Sequence, residues 1–300
     1  MDLSTDFDPA YGSAIALEPG IIRVTANNPS AFTFMGTNSY VVGDGASCFV
    51  VDPGPDDPAH LDAITAAVGG RTVDAVLLTH THRDHSALAR RAAQAFGAPL
   101  VGGAGIRSQA GQETGDVVLD AAADRELVFD RTLDDGAILN LGGLAVEAIA
   151  TPGHASDHLA FALGGTGVLL SGDHVMAWST SVVAPPDGSM RQYMASLERL
   201  LARSERRYLP GHGGPVERPA AFVRGLLQHR RMREAAILSR LQAGDRTIPE
   251  IVTAIYRGLD PRLTGAAALS VLAHLQALVA DGAVRSSDAE PSPGSMFELR

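Results

Sequence analysis

The chain contains no lysine, and all 24 of its Lys/Arg positions are arginine. That bias is expected of a GC-rich bacterial genome and carries no chemistry of its own. Cysteine occurs once, as Cys48 in the apolar run SCFVV. No intramolecular disulfide or thiolate metal cluster is therefore available, and Cys48 reads as a small buried hydrophobe. No uninterrupted apolar run reaches 18 residues, which argues against a membrane span. The first twenty residues carry acids but no base, unlike a secretory signal or a mitochondrial presequence. The expected location is the cytosol. Aromatics make up only 5% of the 300 residues, with one tryptophan, Trp178.

The net charge of −10 is unevenly spread. Residues 1–216 hold 13 arginines against 25 acids, whereas residues 217–300 hold 11 against 9. An acidic N-terminal part is a poor polyanion surface. The chain is longer than one compact domain usually needs, and its texture changes near residue 218.

Before that point, short β-rich runs alternate with Gly, Asp and Pro punctuation. IIRVTA (21–26), NSYVVG (38–43) and SCFVVD (47–52) read as strands, and Asp52-Pro53-Gly54-Pro55 as a turn. Residues 58–68 have helical apolar spacing. DAVLLT (74–79) is the continuous apolar run of a strand covered on both faces. Ser86 is placed as the cap of a following helix that Gly97 ends. AILNL, LAVEAIA, HLAFAL and GVLLSGD add four strands, and 189–203 a helix. Beyond 218, three helical patterns precede MFELR, a candidate hairpin strand; Thr247 and Glu250 form a capping box. The expected fold is α/β, sheets between helices over 1–217, with a winged-helix-like helical domain over 218–300.

The chemistry lies in His80-Thr81-His82-Arg83-Asp84-His85, three histidines and an aspartate at the end of the covered strand. Such spacing in a tight loop brings several metal donors to one point. Two ions need six or seven ligands, so the loop alone is insufficient. His154 in TPGHASDH, Asp173 in SGDH and His212 in LPGHG each follow a strand beside glycine, and together with the loop they read as ligands. A carboxylate between two cations is the natural bridge. Imidazoles suit zinc, manganese or iron, zinc being the commonest. Asp157 is a candidate acceptor for a ligand imidazole, and His158 and His174 are candidate proton donors. Trp178 opens a Ser/Pro/Gly loop and is placed on the pocket rim. His60, His229 and His274 sit in helical patterns and read as ordinary.

THTHRDHS, TPGHASDH, SGD and PGHG, in this order and spacing, resemble the metallo-β-lactamase superfamily over residues 37–216. GTNSYVVG, HASDH, PGHGG and the helical segment starting HRRMREAAIL resemble the subgroup around the endoribonuclease β-lactamase-like protein 2 and its bacterial relatives. The sequence departs from the family pattern where Ser86-Ala87-Leu88 replaces small glycines. The resemblance implies an αβ/βα four-layer sandwich. It also implies one zinc on His80, His82 and His154 and a second on Asp84, His85 and His212, with Asp173 bridging. Asp84 and Asp173 would then orient a metal-held hydroxide, as catalytic residues of a hydrolase.

Subgroup resemblance puts a phosphodiester of single-stranded RNA first among substrates; Arg230, Arg231 and Arg233 are candidate phosphate contacts, although a solvated helix face is the default reading of such a run. The alternatives are a small thioester, ester or lactone, as in glyoxalase-II-like relatives, or a non-enzymatic nucleic-acid-binding regulator with a structural metal site. No membrane partner is expected. The C-terminal segment leaves nucleic-acid binding, homodimerisation and pocket closure open.

Overall fold

A computed structural model describes residues 2–104 and 123–300. The first sheet holds β1 (Ile15–Glu18), β2 (Ile21–Thr25), β3 (Asn38–Val42), β4 (Ser47–Val51), β5 (Thr72–Leu77), β6 (Leu100–Gly103) and β7 (Arg131–Leu133) in that order. It begins as an antiparallel meander and becomes parallel from β4 onward. Helix α1 (Pro58–Val68) connects β4 to β5, and α2 (Arg83–Ser86) and α3 (Ala89–Phe96) connect β5 to β6. The second sheet holds β8 (Ile138–Leu141), β9 (Leu144–Ala150), β10 (Leu159–Leu163), β11 (Val168–Gly172) and β12 (Arg207–Pro210), in the order β12-β11-β10-β9-β8. Helix α4 (Met190–Leu201) joins its parallel pair β11 and β12.

Period two along the strands divides the molecule into layers. Tyr40, Val42, Phe49, Val51 and Leu77 from the first sheet meet Val146, Ala148, Phe161 and Leu170 from the second in one core. The residues between them point outward. Val41, Cys48, Val50 and Val76 pack on Leu61 and Ile64 of α1 and Ala92 of α3. Ile149, Ala160 and Leu169 pack on Tyr193 and Leu197 of α4. Helix, sheet, sheet, helix is the expected four-layer sandwich, and strands buried on both faces explain the apolar runs. Leu88, from the departing Ser-Ala-Leu triplet, is fully buried in the helix-side core. Ser86 does not cap α3; its hydroxyl donates to Thr81 O at 3.0 Å.

Three helices follow, α5 (Pro219–Gln242), α6 (Ile248–Ile255) and α7 (Thr264–Ala280), then the hairpin β13 (Val284–Ser286) and β14 (Phe297–Leu299). The Glu250 carboxylate accepts from Thr247 N at 2.9 Å, closing the capping box. Helix α5, about 36 Å long, serves two cores. Val223, Leu226 and Leu227 pack on the α4 side of the sandwich, whereas Ile237 and Leu241 join the C-terminal core. No clean linker therefore separates the two regions at residue 218. Among the described residues, Pro261–Ala280 is a helical stretch long and apolar enough to cross a membrane. Val271, Leu272, Leu275 and Leu278 on it are buried in the C-terminal core.

Candidate metal centre

Every expected metal donor stands past the C-terminal end of a strand. His80 to His85 follow β5, His154 follows β9, Asp173 follows β11 and His212 follows β12. The sandwich brings these ends together. Asn38 on β3 stitches the two sheets beside the site, its Nδ2 donating to Pro210 O at 3.1 Å and Gly213 O at 2.9 Å.

The seven residues converge as two triads. His80 Nε2 and His154 Nε2 lie 2.9 and 3.0 Å from His82 Nδ1. His212 Nε2 lies 3.2 Å from both His85 Nε2 and Asp84 Oδ2. Asp173 touches both groups: its Oδ2 is 3.7 Å from His154 Nε2 and 3.3 Å from His212 Nε2, and its Oδ1 is 3.4 Å from His85 Nε2. The donor atoms of His80, His82 and His154, and those of Asp84, His85 and His212, each lie mutually within 4.8 Å, as a metal ion requires. Asp84 Oδ1 and Asp173 Oδ1 are buried without a hydrogen-bond partner. Orphaned carboxylate oxygens facing converging imidazoles fit a cation, because no group among the described residues satisfies them.

The distal ring nitrogens show which lone pairs are free. His154 Nδ1 donates to Val182 O at 2.6 Å and His212 Nδ1 to Gly36 O at 3.1 Å, which turns each Nε2 toward the donor cluster. Asp52 organises two more ligands. Its carboxylate accepts from Thr79 N (2.8 Å), Thr79 Oγ1 (2.7 Å) and His85 Nδ1 (3.0 Å). Because the Thr79 hydroxyl proton goes to Asp52, its oxygen accepts from His80 Nδ1 at 3.0 Å. From sequence alone Asp52 reads only as part of a turn. Its signal was present: an aspartate closes the strand parallel and adjacent to the one that ends in the histidine cluster. Asp52 adopts φ +50°, a left-handed conformation that Asp tolerates better than most residues. Converting Asp52→Asn removes the charge and one acceptor. Metal affinity should fall about 10- to 100-fold with the fold retained, as read by chelator competition alongside circular dichroism.

Charge is arranged to match. Burial, then neighbouring imidazoles, pushes His82 down to about 4 and His80 well below its ordinary range, so both are neutral at pH 7. Burial would raise the Asp84 and Asp173 carboxyls, but His85 and His212 outweigh it; Asp84 lies at about 2 and Asp173 well below its usual value. The carboxylates in turn overcome burial to lift His212 to about 9 and His85 well above normal. A cation competes with those protons for the same nitrogens, so metal affinity weakens as pH falls.

The remaining nominated residues fall outside the donor cluster. His158 is wholly engaged: Asp173 N donates to its Nε2 at 3.1 Å, and its Nδ1 donates to Thr151 Oγ1 at 2.8 Å. It holds the Asp173 main chain and has no proton to give. Gly172 must lack a side chain for this, since a Cβ would sit 2.5 Å from His158 Nε2. His174 packs on Tyr193 at 4.5 Å, neither ring nitrogen having a hydrogen-bond partner among the described residues, and burial holds it at about 3. Asp157 interacts with Thr81 and bonds none of the ligand imidazoles whose acceptors are identified above; burial raises its carboxyl to about 6. Trp178 is half-buried beside Gly213, stacked on Phe34 at 4.9 Å and 12°. His60 is a buried support, its Nε2 2.8 Å from Ser39 Oγ, which donates to Asp52 O.

The three nominated arginines part company. Arg231 pairs with Glu198 at 3.2 Å, and Arg233 lies 4.2 Å over the Tyr256 ring. Arg230 is only 3% exposed. Together they do not form the open basic track that a nucleic acid needs.

Comparison with known proteins agrees with this geometry. Residues 32–212 match the family model of the metallo-β-lactamase superfamily, and 247–291 that of a β-lactamase-associated winged helix domain. A β-lactamase-like protein 2 homologue from Drosophila melanogaster is 30% identical, over 90% of this chain and 91% of its own. An atrochrysone carboxyl ACP thioesterase from Aspergillus terreus is 28% identical, over 88% of this chain and 80% of its own. The crystal structure of a β-lactamase domain protein from Burkholderia ambifaria shares the fold, with a TM-score of 0.82 over 100% of this chain and 97% of that one, at 21% identity.

Proposed function

Since the chain belongs to the metallo-β-lactamase superfamily and is a metal-dependent hydrolase, we propose that it acts as a dinuclear enzyme on a small thioester or ester. His80, His82 and His154 would hold one ion, and Asp84, His85 and His212 the other, with Asp173 placed within reach of both. Zinc is the first choice for an imidazole-rich set, with manganese and iron as alternatives. When bound, such ions act as Lewis acids and lower the pKa of water from 15.7 to about 7.

The chain's own groups then do three things. The neutral imidazoles of His80 and His82 offer lone pairs without first losing a proton. Asp84 Oδ1 and Asp173 Oδ1, without a hydrogen-bond partner among the described residues, would be free to face an ion or to orient the attacking water. Thr79, Asp52, Val182 and Gly36 fix the imidazole planes, so the site does not reorganise as charge develops.

The observation that carries the reading is the pair of donor triads sharing one carboxylate. The choice of thioester or ester rests on the thioesterase relative, the acidic sandwich and the engagement of all three nominated arginines. A phosphodiester of single-stranded RNA, favoured by subgroup resemblance, takes second place for the same charge reasons. The test is a panel of acyl thioesters, esters, lactones and single-stranded RNA, presented to the zinc-, manganese- or iron-loaded chain with and without a chelator. Thioester or ester turnover abolished by the chelator and restored by metal is the expected result. RNA cleavage without acyl turnover would replace the substrate, and a metal-loaded, folded chain inert on every substrate would favour a binding protein.

A further inference from the structure

The hydrolytic reading leaves the C-terminal segment without a role, and Arg230 on α5 supplies one. An arginine that is 3% exposed is costly unless its donors are used. Among the described residues no carboxylate pairs with it. Its Nη2 instead donates to Ser181 O, and its Cζ lies 5.1 Å from the Tyr193 ring centroid.

Ser181 and Val182 belong to the stretch between Asp173 and α4. On either side of the carbonyl that Arg230 holds, this stretch grips a metal-site residue. The Ser181 hydroxyl lies 2.5 Å from Asp173 O and 2.9 Å from His174 O, donating to the turn that carries the shared carboxylate. The next carbonyl, Val182 O, accepts from His154 Nδ1 at 2.6 Å and so sets that imidazole's plane and tautomer. Tyr193 backs the same turn, its hydroxyl donating to His174 O at 3.1 Å. Two of the seven donor residues thus depend on one short strap, and the strap hangs from a side chain of α5.

We propose that Arg230 is a positioning residue through which the C-terminal segment holds His154 and Asp173 in their metal-binding geometry. The proposal rests on the ligand assignment above. It makes α5 part of the metal centre's frame and explains why that helix is shared between the two cores. An arginine that only stabilised the fold would, when lost, lower stability and leave metal affinity alone.

Cobalt(II) titration of the full chain separates the cases, with visible absorption and chelator competition as readouts. Arg230→Met should weaken cobalt binding on the order of 10-fold and shift the ligand-field bands. Arg230→Lys, which keeps a donor toward Ser181 O, should recover part of both. Arg224→Met, an exposed change on the same helix, should match wild type. A folded Arg230→Met chain with wild-type affinity and spectrum would overturn the proposal. Should that variant fail to fold, Arg230→Gln, which removes the charge and shortens the reach toward Ser181 O, decides by the same readouts: weakened binding in a folded chain supports it and unchanged binding overturns it. A wild-type chain that binds no cobalt would sink the ligand assignment itself, an outcome distinct from any behaviour of the variants.

Discussion

Replacing Asp173 with alanine is expected to cost on the order of 10³-fold or more in hydrolysis, while the chain stays folded. The size follows from position. This carboxylate approaches His154 and His212 through Oδ2 and His85 through Oδ1, so it contacts donors of both triads. Removing a single electrostatic donor at an active site costs about 10²–10³ in turnover. Here the lost group also carries negative charge toward two cationic positions. Metal analysis should find the ion on Asp84, His85 and His212 depleted more than the other. The first triad keeps three imidazoles, whereas the second loses a carboxylate from a set with only one other. Asp173→Asn is the informative companion, since it keeps the shape and one acceptor and removes the charge. Full metal content and full activity in the alanine variant would refute the bridging role.

Much of this centre is legible in the sequence, for a physical reason. Metal donors are chemically distinctive residues, and the chain spends them just past strand ends, where a loop must turn. His80, His82, Asp84, His85, His154, Asp173 and His212 each stood in such a context, and the structure brings all seven together. The layers were legible because strands covered on both faces must be apolar throughout.

Supporting groups were harder to see, because main-chain carbonyls do that work. Val182 O and Gly36 O have no residue signature. Asp52 was hidden in a turn that its Asp-Pro-Gly-Pro sequence already explained. Arg230 shows the opposite error. As one of a run of arginines on a helix it looks like surface charge, and only the packing of α5 across α4 turns it inward. Helical period alone cannot reveal this, since α5 is covered differently along its two halves.

Gly211 gives the second large effect, and by the reverse route. A Cβ there would lie 2.4 Å from Asp173 Oδ1 and 2.6 Å from His85 Cε1, contacts that real side chains do not make. The backbone has little room to retreat. Gly211 N donates to Gly172 O at 2.9 Å, and Gly211 O accepts from Asn38 N at 2.7 Å. His85 is pinned by Asp52, so the Asp173 carboxylate is the group that must swing away. Gly211→Ala should therefore reduce activity nearly as far as Asp173→Ala and lower metal content. Overpacking typically costs about 1–3 kcal/mol, so most chains should still fold. Coupling provides the decisive measurement. Groups in contact are non-additive. With Asp173 already alanine, one of the two clashes is gone, so the stability cost of Gly211→Ala should shrink without vanishing, because His85 Cε1 remains in the way. Denaturant unfolding of the single and double variants measures that difference. Strict additivity would mean that the added methyl does not act through the Asp173 carboxylate.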